Sequence, residues 1–384
     1  MTLKPERPAT NDAALAIVLP TLFGGGSERV ATDLANYWTS GGRQVSLITI
    51  DAISGERYPL DARIQQIGLG LFRNSPSFAA ALWNNRLRVS RLRHAIRERG
   101  VAQVVSFTDI TNITTLLACR RLNVEVIVCE RTDPRHHRLG RLWSTLRAQT
   151  YGRASAIVVQ THAVAEWAKA QGWNCPVYVI PNAAPVPDES HRSGVSGSIA
   201  RHAVVALGRL SHEKGFDLLI EAFARVAASH SDWDLRIYGE GNERAALTSL
   251  AQQHGIGDRV SLAGWTQQTD AALRDADIFV LPSRYEGFPN ALLEAMAIGL
   301  PCISFDCDSG PRDIIRPGVD GLLVQREDVT QLAGALHQLM SDNGFRRRLS
   351  EKASEVTQRF SRDRFYRRWN AVLQLATRDE FEAI

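Results

Sequence analysis

Residues 278–306 read IFVLPSRYEGFPNALLEAMAIGLPCISFD. The run opens on a short apolar segment, Ile278–Leu281, and closes on a second, Cys302–Phe305. Between them Pro289 introduces a helical stretch that carries Leu292, Leu293 and Glu294. Short apolar runs punctuated by Pro and Gly suit strands buried on both faces, and a helix between two such strands makes a parallel βαβ unit.

The same rhythm extends both ways. Gly321–Val324 follows; Ala203–Leu207, Leu235–Tyr238 and Val260–Leu262 precede, with helical segments between. Pro185–Ala200, PVPDESHRSGVSGSIA, breaks the pattern and reads as a linker. Beyond it, Leu15–Leu19, Val45–Ile50, Gln103–Phe107, Val126–Cys129, Ala156–Val159 and Val177–Ile180 restart the alternation. The helix expected over Ser27–Ser40 puts Val30, Ala31, Leu34, Ala35 and Trp38 on one face. The expected architecture is α/β: two Rossmann-like, doubly wound domains facing across a cleft. The first spans 1–185, a linker 186–200 and the second 201–355, while a C-terminal helix over 356–384 packs back on the first domain. Ligands of such sheets bind at the carboxyl ends of the strands.

Composition agrees with two packed domains: 384 residues, 44% hydrophobic and 22% charged. The five cysteines form no CxxC pair, which argues against a disulfide framework or a zinc site and for a reducing compartment. Met1–Asp12 has no apolar signal core, and no apolar run approaches the roughly 20 residues of a membrane span. Any membrane contact is expected to be peripheral. Charge is uneven: residues 1–190 hold 22 Lys/Arg against 15 Asp/Glu, and 191–384 hold 23 against 26. A basic half points to an anionic partner.

Four segments of the second half carry chemistry. Gly208-Arg209-Leu210-Ser211-His212-Glu213-Lys214-Gly215 follows a strand and opens a helix. A helix start favours anions, and Arg209 and Lys214 can grip a diphosphate there. A surface loop with solvated charges reads the same way. Glu286 lies before the next helix and Glu294 about two turns inside it, with Pro289 suited to its first turn. One carboxylate can accept sugar hydroxyls and the other a ribose diol; an ordinary dipole-favoured Glu and an exposed helical Glu are the alternative. Tyr238-Gly239-Glu240-Gly241 and Cys307-Asp308-Ser309-Gly310-Pro311 are strand-end turns, weak alone. In the first half Gly24-Gly25-Gly26-Ser27-Glu28 closes a strand, with Ser27 as a candidate N-cap. It is neither GxGxxG nor GxxxxGK[ST]. Three Asp-x-Asp triplets, Asp232–Asp234, Asp275–Asp277 and Asp306–Asp308, have the spacing of a metal holder. No cofactor is expected, and no metal.

Together these segments resemble the retaining glycosyltransferases of family 4, which have the GT-B fold. The resemblance runs through GRLSHEKGFDLLIEAFA, LRIYGEG, the 279–306 stretch and DSGPRDIIRPGVDGLLV, and more loosely through LFGGGSERV. SFTD (106–109) and ERTDP (130–134) are similar to the subgroup containing amylovoran-type and lipid-linked N-acetylgalactosaminyl transferases. The resemblance implies a nucleotide-sugar donor as substrate, with UDP favoured. Arg209 and Lys214 hold its diphosphate, and Glu294 its ribose. Glu286 holds the sugar, with Gly287 beside it and N–H groups near Asn290 and Ala291 on phosphate. Gly25 and Gly26 border the reaction centre, and the base lies near Trp265. Glu286, Arg209 and Lys214 are the catalytic candidates. Two departures stand out. Pro289-Asn290-Ala291 replaces the usual Gly-Leu-Pro, and Arg131 stands where a histidine is usual.

The expected acceptor is a lipid-linked diphosphate saccharide at an anionic membrane, reached from the cytoplasmic face. On a projection of residues 83–99, Val89, Leu92 and Ile96 share one face and Arg86, Arg93 and Arg97 form a stripe beside it. Arg131–Arg153 adds a second basic stretch. A solvated basic face is the plain alternative. A sugar-nucleotide epimerase or a non-catalytic nucleotide-sugar binder would use the same cleft. No nucleic-acid-binding module is present in the sequence.

Overall fold

The computed structural model describes residues 13–23, 25–53, 58–71, 77–137, 139–186 and 201–374. Most of the expected linker, 187–200, and Gly24 lie outside the described residues, as do both chain ends. The chain divides into two compact units. Unit 1 takes the N-terminal part through Asn182 together with the part from Asp363 onward; unit 2 is Ala183–Arg362.

Unit 1 holds a seven-stranded sheet, ordered β3-β2-β1-β4-β5-β6-β7. Its strands are β1 (Leu15–Leu19), β2 (Val45–Thr49), β3 (Gln65–Gly68), β4 (Gln103–Phe107), β5 (Glu125–Cys129), β6 (Ala156–Val159) and β7 (Val177–Val179). Its helices are α1 (Gly26–Ser40), α2 (Phe78–Glu98), α3 (Asp109–Cys119), α4 (Arg141–Thr150) and α5 (His162–Ala170). Every neighbouring pair of strands is parallel. β3 is the strand that apolar patterning misses. It is an edge strand of sequence QQIG whose side chains are exposed or half-buried, so no apolar run marks it. Leu92 and Ile96 of α2 are fully buried against the α3 side of the sheet, with Val89 packed beside them.

Unit 2 holds a six-stranded parallel sheet, ordered β10-β9-β8-β11-β12-β13. The strands are β8 (His202–Leu207), β9 (Trp233–Tyr238), β10 (Val260–Gly264), β11 (Ile278–Leu281), β12 (Cys302–Phe305) and β13 (Leu322–Val324). The helices are α6 (Phe216–Ala227), α7 (Arg244–Gln253), α8 (Thr269–Arg274), α9 (Asn290–Ala297), α10 (Pro311–Ile314), α11 (Val329–Ser341), α12 (Asn343–Ala353) and α13 (Val356–Arg359). One face packs α6, α7 and α11 around Phe223 and Leu336; the other packs α9 and α13 around Met296 and Val356. β11 and β12 pair in parallel register on either side of α9, the βαβ unit that residues 278–306 predict.

The last helix, α14 (Arg362–Gln374), belongs to unit 1 almost entirely. Tyr366 stacks on Tyr37 at 3.8 Å between centroids. Trp38 donates its indole N–H to Asn370, which donates in turn to the Tyr37 hydroxyl, both at 3.0 Å.

Candidate functional site

Two loops at the carboxyl ends of β8 and β11 build the site in unit 2. After β8, Leu210 is fully buried, its N–H donating to the Glu240 carbonyl and its own carbonyl accepting from Glu243 N–H. A short 3-10 turn, His212–Lys214, follows and ends on Gly215 at φ +65°. A Cβ there would run into the Pro282 carbonyl, so the close approach of the two loops requires glycine.

Arg284 staples the loops. Its N–H donates to the Glu213 carbonyl at 2.9 Å, and its guanidinium donates to the His212 carbonyl at 2.6 Å and to both oxygens of Asp217 at 2.9 and 2.6 Å. Burial alone would raise the Asp217 carboxyl; the Arg284 bonds outweigh it and leave the group lowered.

This stapling brings Lys214 and Glu286 together. Lys214 Nζ donates to Glu286 Oε1 at 2.7 Å, and Ser283 Oγ donates to the same oxygen at 2.7 Å. Both side chains of the pair are largely enclosed. Sequence reasoning aims Lys214 with Arg209 at a diphosphate; in the structure one Lys214 proton is on Glu286. Arg209 is exposed and has no ion-pair partner among the described residues.

Gly287 accepts the Ser309 hydroxyl on its carbonyl at 3.0 Å. Asn290 and Ala291 open α9, half-buried, in the turn whose N–H groups lack helical partners. Two expectations need correcting here. Pro289 is the N-cap and not a first-turn residue, and Glu294 is the fifth helical residue, little more than one turn in. The helix starts later than the pattern suggests because the 282–288 segment is held out by its bonds to the neighbouring loop. Trp265 follows β10 and is 46% exposed.

In unit 1, Gly25 caps α1 and Gly26 opens it, so Ser27 is inside the first turn and is not the cap. The arginines divide. Arg86 and Arg97 are exposed on α2. Arg93, also exposed, donates to the Ala118 and Leu117 carbonyls at 2.8 and 2.9 Å, closing the end of α3. The apolar face read beside that stripe is the core face of α2; the exposed apolar residues are Leu82 and Trp83, one turn or more earlier. Arg131 is half-buried. It donates to Asn182 Oδ1 at 2.6 Å and lies over the Phe107 ring, and burial lowers its pKa to about 10.

Next to it Glu130 is buried. Tyr151 donates its hydroxyl to Oε1 at 2.6 Å, Asn112 donates to the Tyr151 oxygen at 3.1 Å, and the Arg147 guanidinium stands 3.9 Å away. Burial pushes the Glu130 carboxyl up to about 7 against the pull of Tyr151.

One aspartate of each triplet is engaged by a basic side chain. Asp234 meets Arg201 at 2.8 Å, Asp277 meets His202 at 3.0 Å, and Asp306 meets Arg312 at 2.9 Å. Among the described residues no three His, Cys, Asp or Glu side chains converge on a metal-sized point. No described helix is long and apolar enough to cross a membrane.

Two parallel Rossmann-like units, the second with a cation-and-carboxylate site at its strand ends, define the GT-B class of glycosyltransferase fold. The "Glycosyltransferase Family 4" profile matches residues 24–186 and the "Glycosyl transferases group 1" profile matches 200–356. The chain belongs to the family 4 glycosyltransferases.

Its relatives spread over several subgroups. Over 220 residues it is 38% identical to an exopolysaccharide phosphotransferase of Streptomyces coelicolor, covering 56% of this chain but only 23% of that protein. It is 25% identical to an amylovoran biosynthesis glycosyltransferase of Erwinia amylovora, over 91% of this chain and 96% of the relative. It is 26% identical, over 92% and 96%, to a Campylobacter jejuni α-1,4-N-acetyl-D-galactosaminyltransferase whose named acceptor is a saccharide on diphospho-undecaprenol. Among solved structures, Anabaena HepE, crystallised with UDP and glucose, superposes with a TM-score of 0.77 at 17% identity over 94% of this chain and 99% of that one.

Proposed function

We propose that this protein transfers a hexose or N-acetylhexosamine, with retention, from a UDP-sugar to a lipid-linked saccharide in bacterial polysaccharide or glycan assembly. The observation that carries the reading is the convergence of Lys214 on Glu286 from two separate strand ends, with the exposed Arg209, which has no ion-pair partner among the described residues, on the same loop as Lys214. Lys214 has three donor protons and uses one on Glu286, leaving two for phosphate oxygens. Arg209 takes the diphosphate as a fork. Glu286 accepts sugar hydroxyls, Glu294 the ribose diol and Trp265 the base, with Gly287, Asn290 and Ala291 lining the phosphate side. Gly25 and Gly26 are the unit 1 residues assigned to this chemistry. UDP in the HepE structure and the diphospho-undecaprenol acceptor of the Campylobacter relative support the substrate classes.

In the reaction, the bond from the anomeric carbon to the diphosphate oxygen breaks ahead of acceptor attack. The acceptor hydroxyl then bonds to the same face and passes its proton to the departing phosphate oxygen. The protein's task is to stabilise that departing charge with cations fixed in advance. A charge-assisted contact contributes about 1.5–3 kcal/mol, so losing one made mainly in the transition state slows turnover about tenfold to over a hundredfold.

The docking side of the reading rests on exposed apolar residues near the starts of α2, α3 and α4. Leu82 and Trp83 lie in the second turn of α2, one turn before the exposed Arg86, and Ile110 and Leu142 are the second residues of α3 and α4. Apolar anchors near arginines suit an anionic membrane surface, which supports the reading that the protein works at the inner face of the cytoplasmic membrane.

The test is thermal stabilisation by UDP, GDP, ADP and their sugar conjugates, with and without EDTA. A shift with uridine nucleotides that survives EDTA, and that Lys214→Ala weakens, is expected. No shift with any nucleotide would overturn the donor assignment.

A further inference from the structure

Glu286 is held by one oxygen only. Lys214 Nζ and Ser283 Oγ both donate to Oε1, each at 2.7 Å, while Oε2 has no hydrogen bond to any described residue. We propose that Ser283 is a positioning residue: with Lys214 it pins Oε1 so that Oε2 is presented to hydroxyl groups of the donor sugar. The proposal rests on reading this site as the donor site.

A glutamate carboxylate turns easily about its last torsion, where the preference is broad and two-fold. One donor fixes the position of Oε1 but leaves the plane of the group free to turn around it. A second donor arriving from another direction removes that freedom. Lys214 reaches Oε1 from the loop before α6; Ser283 reaches it from three residues upstream on the chain of Glu286 itself.

Ser283 is well suited to act as the fixed point. It lies directly after β11 and Pro282 and is 1% exposed. Its carbonyl accepts the Cys307 thiol at 3.1 Å. Burial pushes that thiol up to about 12, so it keeps its proton and remains a donor. A polar group locked on the end of a strand places its partner more exactly than one on a free loop. A carboxylate oxygen with a fixed direction separates sugars by the orientation of the hydroxyl it meets. A freely turning one follows either epimer.

The test uses the full-length protein and a two-residue cycle, Ser283→Ala, Glu286→Ala and the double variant. UDP affinity and UDP release from UDP-glucose, UDP-galactose and their N-acetyl forms are measured for each. Ser283→Ala is expected to lower kcat about tenfold or more on the preferred sugar, to narrow the preference between 4-epimers, and to leave UDP affinity within about twofold. In the Glu286→Ala background the serine change should cost no more than about twofold, because Ser283 acts through Glu286. Additive losses in the double variant, or UDP affinity falling in step with kcat, would show a merely structural role and overturn the proposal. So would unchanged kcat and sugar preference in Ser283→Ala. If the wild type neither binds UDP nor releases it from any UDP-sugar, the donor-site reading itself fails, and the inference with it.

Discussion

Glu130→Gln should make the protein more stable above neutral pH and no more stable below pH 5. Glu130 is buried, and its pKa rises from 4.5 to about 7, chiefly through burial. Below pH 4.5 the carboxyl is protonated whether the chain is folded or not, and burying it carries no charge penalty. As pH rises from 4.5 toward 7 the unfolded chain ionises first, so unfolding releases a proton and stability falls. Above 7 the folded chain holds a buried anion, with a phenol hydroxyl at 2.6 Å and a guanidinium at 3.9 Å that offset the desolvation only in part. A shift from 4.5 to about 7 corresponds to about 3 kcal/mol at 1.36 kcal/mol per unit. For a unit of roughly 200 residues that is about 6–12 °C in unfolding midpoint. Glutamine keeps the acceptor for Tyr151 and cannot ionise. Six of the eight tryptophans, Trp38, Trp83, Trp143, Trp167, Trp173 and Trp369, lie in unit 1, so tryptophan fluorescence follows its melting. Wild type and Glu130→Gln should be melted at pH 5 and pH 8. The gap between them should widen by about 6–12 °C at pH 8 in favour of the variant. Parallel profiles, with the gap unchanged to within about a degree, would refute the assignment of a buried ionising carboxyl.

Two further outcomes are expected. Trp83→Ser combined with Arg86→Glu should weaken sedimentation with anionic vesicles about tenfold or more while leaving UDP binding unchanged; a charge reversal near an anionic surface alone is worth about 2 kcal/mol. Gly215→Ala should destabilise unit 2 by about 2–4 kcal/mol, since the new Cβ meets the Pro282 backbone at a left-handed φ, whereas Gly255→Ala at a similar φ meets nothing within 4 Å and should cost only about 1–2 kcal/mol in thermal unfolding.

The strands were legible because β1, β6 and β11 are uninterrupted apolar runs and β4 and β12 are largely apolar, all fully buried in the sheets that need them. β3 was not, because an edge strand needs no apolar side chains. At the site, the sequence names Lys214 and Glu286 as separate candidates. It does not say that they touch, since the contact depends on Gly215 letting one loop meet the other and on Arg284 reaching Asp217. Ser283 reads as a strand-end residue like any other, and nothing local marks the oxygen it holds. Arg93 and Arg86 look equivalent on a helical projection. Both are exposed, and only the position of α3 decides that Arg93 reaches the last carbonyls of a neighbouring helix. What periodicity cannot carry, in each case, is the identity of the long-range partner.

Glu130 and Glu286 show how far that partner decides chemistry. Both follow parallel strands, β5 and β11, and both side chains are largely enclosed. Around Glu130 the fold supplies a phenol, which is itself bonded to Asn112, and a guanidinium too distant to bond. Burial outweighs both, and the carboxyl takes up a proton near neutrality. A protonated carboxyl has lost acceptor capacity and suits a packed interior. Around Glu286 the fold supplies an ammonium and a hydroxyl, both on one oxygen, and leaves the other unbonded among the described residues. Such a group keeps acceptor capacity in a fixed direction, which a packed interior does not need and a ligand does. On the proposed function, the asymmetry of its hydrogen bonds, and not its burial or its place after a strand, is what singles out Glu286 to meet the donor sugar.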